Sequence, residues 1–303
     1  MGIFLAFLIV SVLAVNLVVP AGRVRPWSTS SLAMMGAGLL LMHGLGVYDD
    51  FTNLRAPFKF LVQVLAATLV ALSGATLQRL ALPFVGTVTL PLVLAVPLTI
   101  LWIVAISNAI NLIDGADGLA GGVAMVAALF MGIIAFGQGS LIPAVFAFAL
   151  VGSIAGFLLF NFPPARIFMG DGGSLTLGFV LAVIPLMGIT GNSAPPMTIP
   201  VLPVITLLYM PIVDTLLAIT RRTKRGLPVH SPDREHIHHR LIDRGLQGRR
   251  LLAIIYSGMV ILGFTAMASF TLADGVAVAV TGLVWVLALV AIIMMGKHED
   301  LQD

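Results

Sequence analysis

The chain has 303 residues, 59% of them hydrophobic and 10% charged, with a formal charge of +3. A mean hydropathy of +1.09 excludes an ordinary soluble domain and places the chain in the membrane class. It has no cysteine, which excludes a disulfide framework and any thiolate site.

A bilayer core of about 30 Å takes about 20 apolar residues per helical span. In chain order the charge-free stretches are 1–22, 26–48, 60–78, 80–113, 118–165, 172–213, 251–273 and 275–296. The fifth is long enough for two spans and breaks at Gly137-Gln138-Gly139-Ser140. The sixth also holds two, broken between Gly191 and Pro196. The sum is ten transmembrane helices in an all-α, polytopic membrane protein, a single domain over 1–303. Leu82 to Pro91 reads as a short external hairpin before the fourth helix. Runs of this kind argue against a β-barrel, whose strands alternate over about ten residues. Met1 to Pro20 lacks a basic leader region and reads as a true span rather than a cleaved signal.

With the N-terminus inside, thirteen of the sixteen Lys and Arg residues fall inside, and only Arg23, Arg25 and Arg79 outside. That asymmetry makes both termini cytoplasmic. Twelve of the thirteen acids share the inside face, Asp274 being the exception.

Four polar clusters map to that face. The first, GVYDDFTNLRAPFK at 46–59, puts Asp49 and Asp50 side by side at the negative end of a helix dipole, where a cation partner is expected. Lys59 and Arg55 could supply simple ion pairs. The second, SNAINLIDGADGLAGG at 107–122, spaces Asn111, Asp114 and Asp117 by three, which on a helix places them on one face. The alternative is a glycine-rich turn with incidental acids. In the third, NFPPARIFMGDGGSLTLGF at 161–179, Asp171 stands before glycines that open a helix. Free N–H groups there suit a phosphate, and Asp171 could equally be an N-cap. The fourth is a His/Arg-rich loop over 220–250, containing SPDREHIHHR and preceded by Asp214. It could do no more than fix topology and attract anionic lipid.

Carboxylates at helix ends facing a basic, histidine-bearing loop describe a site for a metal and phosphates, and hard oxygens favour Mg²⁺ or Mn²⁺. Zinc stays open for His236, His238 and His239, although Glu235 precedes the first histidine and the H-x-H-H spacing departs from HExxH. His43, the one histidine well inside a span, reads as a packed core residue.

GVYDD, NAINLIDGADGLAGG, IFMGDGGSLTLGF, PIVDT and SPDREHIHHRL, in this order, resemble the polyprenyl-phosphate N-acetylhexosamine-1-phosphate transferases, the superfamily of the MraY and WecA-like enzymes. The resemblance covers nearly the whole chain and is nearer the WecA/TagO-type branch. It implies an enzyme of the bacterial inner membrane that moves a sugar-1-phosphate from a UDP-N-acetylhexosamine to undecaprenyl phosphate and releases UMP. N-acetylglucosamine is the favoured sugar and Mg²⁺ or Mn²⁺ the cofactor. It also implies Asp171 with Asp49 at the metal, and Asp49, Asp50, Asp171 and His238 at the catalytic centre. Asn111, Asp114 and Asp117 fall on the nucleotide side, Phe168 on uracil, and His236, His239 and Arg240 on the donor phosphates. The partners are these two substrates and the bilayer, with a homodimer open and no nucleic acid. Two departures stand out. Asn53 occupies a place where many relatives carry another acid. MGIFLAFL resembles the start of the family's second helix, so the first helix and its basic loop have no counterpart. Read from the residues alone, a transporter and a lipid-pyrophosphate phosphatase remain as alternatives.

Overall fold

The computed structural model describes residues 2–18, 27–188, 198–228 and 236–294. Its helices are α1 (Gly2–Val18), α2 (Thr29–Thr52), α3 (Ala56–Leu72), α4 (Leu92–Ile113), α5 (Leu119–Gly137), α6 (Leu141–Asn161), α7 (Gly170–Leu186), α8 (Val201–Leu207), α9 (Tyr209–Lys224), α10 (Ile237–Asp243), α11 (Arg249–Ala268) and α12 (Asp274–Met294). The protein is all-α and multi-pass, as its composition requires. Every charge-free stretch contributes helix, and helix length and composition by themselves stop short of confirming the expected ten spans. Among the described residues six helices are long and apolar enough to cross a membrane, and α8 with α9 forms a seventh, bent candidate. Helices α1, α3 and α7 have 17 residues each. At about 1.5 Å per residue they reach about 25 Å, short of a full bilayer core.

The break at 137–140 lies as expected between α5 and α6. The expected break at Gly191 to Pro196 falls outside the described residues. The expected hairpin is present as β1 (Arg79–Leu82) and β2 (Gly86–Thr89), paired antiparallel. Its sheet gains an unforeseen third strand, β3 (Thr198–Pro200), parallel to β1. Asp274 accepts the Phe84 N–H at the hairpin turn (3.1 Å), so the one acid expected on the face opposite the clusters is tied to the hairpin.

The bend between α8 and α9 is 73°. Pro211 accounts for it: it has no N–H for the Leu207 carbonyl, and its ring crowds that carbonyl. Helix α9 then runs past the charge-free limit at 213, so the first turns of the expected 220–250 loop are helix, and α10 lies within the rest.

The core that positions the site is the packing of α2 and α4 on α7, with α3 against α2. Small residues set the spacing. A Cβ at Gly46 would run into the Asp171 backbone carbonyl and come within 2.6 Å of Gly172 Cα. A Cβ at Gly178 would lie 2.6 Å from Ser107 Cα, and one at Gly38 would lie 2.7 Å from the Ala66 carbonyl. Helix backbones therefore touch at these crossings, as small residues allow in membrane bundles. His43 is buried, stacked on Phe4 with ring centroids 4.0 Å apart. Its Nδ1 lies 3.0 Å from Thr176 Oγ1, so it is the packed core residue expected.

Candidate active site

The tight α2–α7 crossing delivers the C-terminal end of α2 to the N-terminal end of α7. Asp50 exploits it. Its Oδ1 accepts the Asp171 N–H (2.7 Å) and its Oδ2 the Gly172 N–H (3.1 Å). A carboxylate satisfying two orphan amides at the positive end of a helix is strongly placed. The amides expected to be free for phosphate are thus taken by Asp50. Asp171 caps nothing of its own helix.

The Asp171 side chain instead faces α3 and α4. Asn111 donates to its Oδ1 (2.9 Å) and also to Ser174 Oγ (2.9 Å). Lys59 donates to its Oδ2 (3.2 Å) and pairs directly with Asp49. Asp49 is buried, and its Oδ1 accepts the Leu54 N–H (2.7 Å) as the chain leaves α2. One ammonium therefore joins two carboxylates from sites 122 residues apart in sequence. The sequence suggests only a simple ion pair for Lys59. Its role as a bridge depends on where α7 lands.

Asn111, Asp114 and Asp117 do not share a helix face. Helix α4 ends at Ile113, Asp114 is its C-cap, and Asp117 lies in the turn before α5. Asp114 stays with the cluster: burial first, then the negative charges of Asp171 and Asp50, push its carboxyl up to about 7. Asp117 turns away and accepts the Ala165 N–H (3.0 Å). Beside it, Asn161 accepts the Gly118 N–H (2.9 Å) and donates to the Ile167 carbonyl (2.8 Å). The Tyr256 hydroxyl donates to the Gly118 carbonyl (2.5 Å). The expected nucleotide role of Asp117 has to be set against this plainly structural bond. Phe168, by contrast, is 80% exposed, with a ring face free to stack.

The histidines separate. His236 is buried, with Nδ1 2.8 Å from Asp214 Oδ2, and Asp214 also accepts the Ile237 N–H (3.0 Å). Asp214 thus fixes the start of α10. A lone acid in the apolar run PIVDT is the sequence signal that marks it. His238 is 2% exposed and packs so closely on Gly115 that any side chain there would strike its ring. Its Nε2 is buried without a hydrogen-bond partner. Burial, with His239 and His236 adding to it, lowers its pKa to about 4, so it is neutral near pH 7. His239 is half-buried, its ring centroid 4.2 Å from that of His238. Arg240 donates to the Ile292 carbonyl (3.4 Å). Residues 231–235 of the motif lie outside the described residues.

All four clusters thus meet at one end of the bundle: Asp49, Asp50 and Lys59 with Asp171, Asn111 and Asp114 with it, and His238 on the 114–118 turn. Among the described residues no group of three or more His, Asp or Glu is set around a metal position, which leaves the histidines without a zinc-type cluster.

Residues 32–189 match the family model described as glycosyl transferase family 4. The chain is 38% identical over 230 residues to a probable undecaprenyl-phosphate N-acetylglucosaminyl 1-phosphate transferase of Bacillus subtilis, covering 76% of this chain and 63% of that protein, or just under two thirds of its length. It is 35% identical over 297 residues to a decaprenyl-phosphate N-acetylglucosaminephosphotransferase of Mycobacterium tuberculosis, covering 91% of this chain and 73% of that one. A phospho-N-acetylmuramoyl-pentapeptide-transferase of Levilactobacillus brevis is 53% identical, but over only 29% of this chain and 27% of its own. The long matches fall on the N-acetylglucosamine branch, in agreement with the motif resemblance. The acid cluster, the membrane bundle and these matches agree that the chain belongs to glycosyl transferase family 4.

Proposed function

We propose that the protein transfers N-acetylglucosamine-1-phosphate from UDP-N-acetylglucosamine to a polyprenyl phosphate such as undecaprenyl phosphate, releasing UMP. The observation that carries the reading is the Asp49–Lys59–Asp171 bridge pinned by Asn111, in a chain whose long matches bear that activity in their names. In the reaction an oxygen of the lipid phosphate bonds to the sugar-bearing phosphorus of the donor. The bond from that phosphorus to the UMP oxygen breaks, and UMP leaves with the electron pair. Such transfers depend on alignment and on neutralising charge over the transferring oxygens.

Two of the acids, together with phosphate oxygens of the substrates, would hold a divalent cation, since no three of the described acids converge on one position. Asp49 and Asp171 share one ammonium, and Asp114 lies close enough to Asp171 and Asp50 that their charges add to burial in pushing its carboxyl up to about 7. Hard oxygens of this kind suit Mg²⁺ or Mn²⁺, held by Asp171 with Asp49. When bound, the ion would supply positive charge to the phosphate oxygens. The chain's own contributions are separable from it. Asn111 and Lys59 orient the Asp171 carboxylate, and Asp50 holds the α7 terminus that carries it. His238 offers a neutral imidazole nitrogen beside the 114–118 turn, a donor or acceptor for a phosphate oxygen. Exposed Phe168 offers a stacking face to the uracil. On the ten-span map, the thirteen-to-three division of basic residues supports a cytoplasmic site with both termini on that side.

The test is the protein purified with Mg²⁺, undecaprenyl phosphate and UDP-N-acetylglucosamine, followed for UMP. Release dependent on both substrates is expected. No UMP with any UDP-amino sugar would overturn the proposal.

A further inference from the structure

On the same end of the bundle, a groove of 670 Å³ opens between α5, α6 and α11, away from the acid cluster. Its wall is apolar: Met125, Leu158, Leu159 and Phe162, with Leu159 81% exposed. Its mouth carries two arginines, Arg166 just after α6 and Arg249 at the start of α11. The Arg249 guanidinium sits 5.8 Å from the centroid of the Phe162 ring, and its Nε reaches the Pro163 carbonyl only at 3.4 Å. Neither arginine is in an ion pair among the described residues. Two uncompensated cations therefore stand where two apolar helices end, above an apolar trough.

We infer that this groove binds one anionic phospholipid, its phosphate between Arg166 and Arg249 and an acyl chain along Leu158 and Leu159. A free phosphate has no use for the wall, and a zwitterionic headgroup brings a positive charge to a positive mouth. The bilayer supplies an occupant with both matching parts, and a juxtamembrane arginine pair is the usual means of selecting its charge. The volume is of ordinary ligand-pocket size, within about 300–1,000 Å³.

The groove backs onto the reaction site. Tyr256 lines it and bonds the Gly118 carbonyl, and Pro163 and Pro164 line it beside the Asp117–Ala165 bond. A lipid seated here buttresses the 114–118 turn from behind, the turn against which His238 packs. None of the acid-cluster residues lines the groove, so this is a second lipid position and does not depend on the proposed reaction.

Native mass spectrometry of the full chain released from mixed phosphatidylglycerol/phosphatidylcholine nanodiscs tests it. Wild type is expected to retain one phosphatidylglycerol, and Arg166→Gln with Arg249→Gln to lower its affinity about tenfold or more. Arg166→Lys with Arg249→Lys keeps the charge and should stay within about threefold of wild type, which separates charge loss from misfolding. Millimolar inorganic phosphate should leave the lipid in place. Equal retention of phosphatidylcholine by wild type, wild-type affinity in the double Gln variant, or displacement by inorganic phosphate would each overturn the proposal. So would one-for-one displacement by undecaprenyl phosphate, which would make the groove the acceptor's own.

Discussion

The two halves of the site are built on opposite principles. Around Asp171 three neighbours are doubly engaged: Asp50 on two amides, Asn111 on Asp171 and Ser174, Lys59 on two carboxylates. Around α10 one group is fully engaged and its neighbour is not. His236 is locked to Asp214, while two residues on His238 keeps a buried, unpartnered Nε2. A saturated network holds shape, and an orphaned buried donor or acceptor costs about 1–3 kcal/mol, a cost that a hydrogen bond with a bound oxygen would offset. The first half is scaffolding that carries charge. The second holds a buried ring nitrogen with no partner among the described residues.

Mutations can break this contrast. The largest effect is expected for Asp171→Asn, which keeps the side chain's size but removes its charge. UMP release should fall by about a hundredfold or more with the melting temperature nearly unchanged. Near-normal turnover would remove Asp171 from the centre of the charged half. Gly46→Ala comes next, because its methyl meets backbone rather than a mobile side chain. Overpacking costs about 1–3 kcal/mol, so unfolding and activity should shift together. Full activity at an unchanged melting temperature would show that the crossing gives way freely.

The two histidines sharpen the comparison. His236→Ala should lower stability, because it strips a partner from the buried carboxylate of Asp214, at about 1–3 kcal/mol. His238→Ala should leave the melting temperature closer to wild type while UMP release falls about tenfold or more. The reverse pattern would exchange their roles.

The smallest effect is on pH dependence. His238 has a folded pKa of about 4 against 6.5 for the free side chain. Between those values the unfolded chain binds more protons, so this group's contribution to stability is present above about 6.5 and is lost as pH falls towards about 4. Thermal unfolding across that window should fall more steeply for wild type than for His238→Gln. Identical slopes would contradict the buried, neutral ring.

Much of the frame was legible in the residues. Apolar runs marked the helices, Gly137 to Ser140 marked a turn, and the Pro- and Gly-containing patch from Leu82 to Pro91 marked the hairpin, though its first strand starts earlier, at Arg79. The acid positions were legible for the same reason: charge is rare in so apolar a chain. Their partners were not. Nothing near Asp50 announces that it caps a helix beginning at Gly170, and nothing near Asp117 announces the Ala165 amide. The spacing of three misled because a helix face is an argument only while the helix lasts, and α4 stops at Ile113. The bend at Leu208 was written in Pro211, but apolar counting reads a proline as one more uncharged residue.

The Lys59 bridge carries a consequence for the order of assembly. Asp171 is 112 residues from Lys59 in sequence, 121 from Asp50 and 60 from Asn111. Helices enter the bilayer as they are synthesised, so α2 and α3 are in place long before α7. Through that interval Lys59 and Asp49, one turn apart, can neutralise each other where they stand at the membrane face. Only the arrival of α7 turns a private pair into a shared one. A nascent chain short of that helix holds a quenched charge pair and no site, and the last insertion in the core is also the step that arms it.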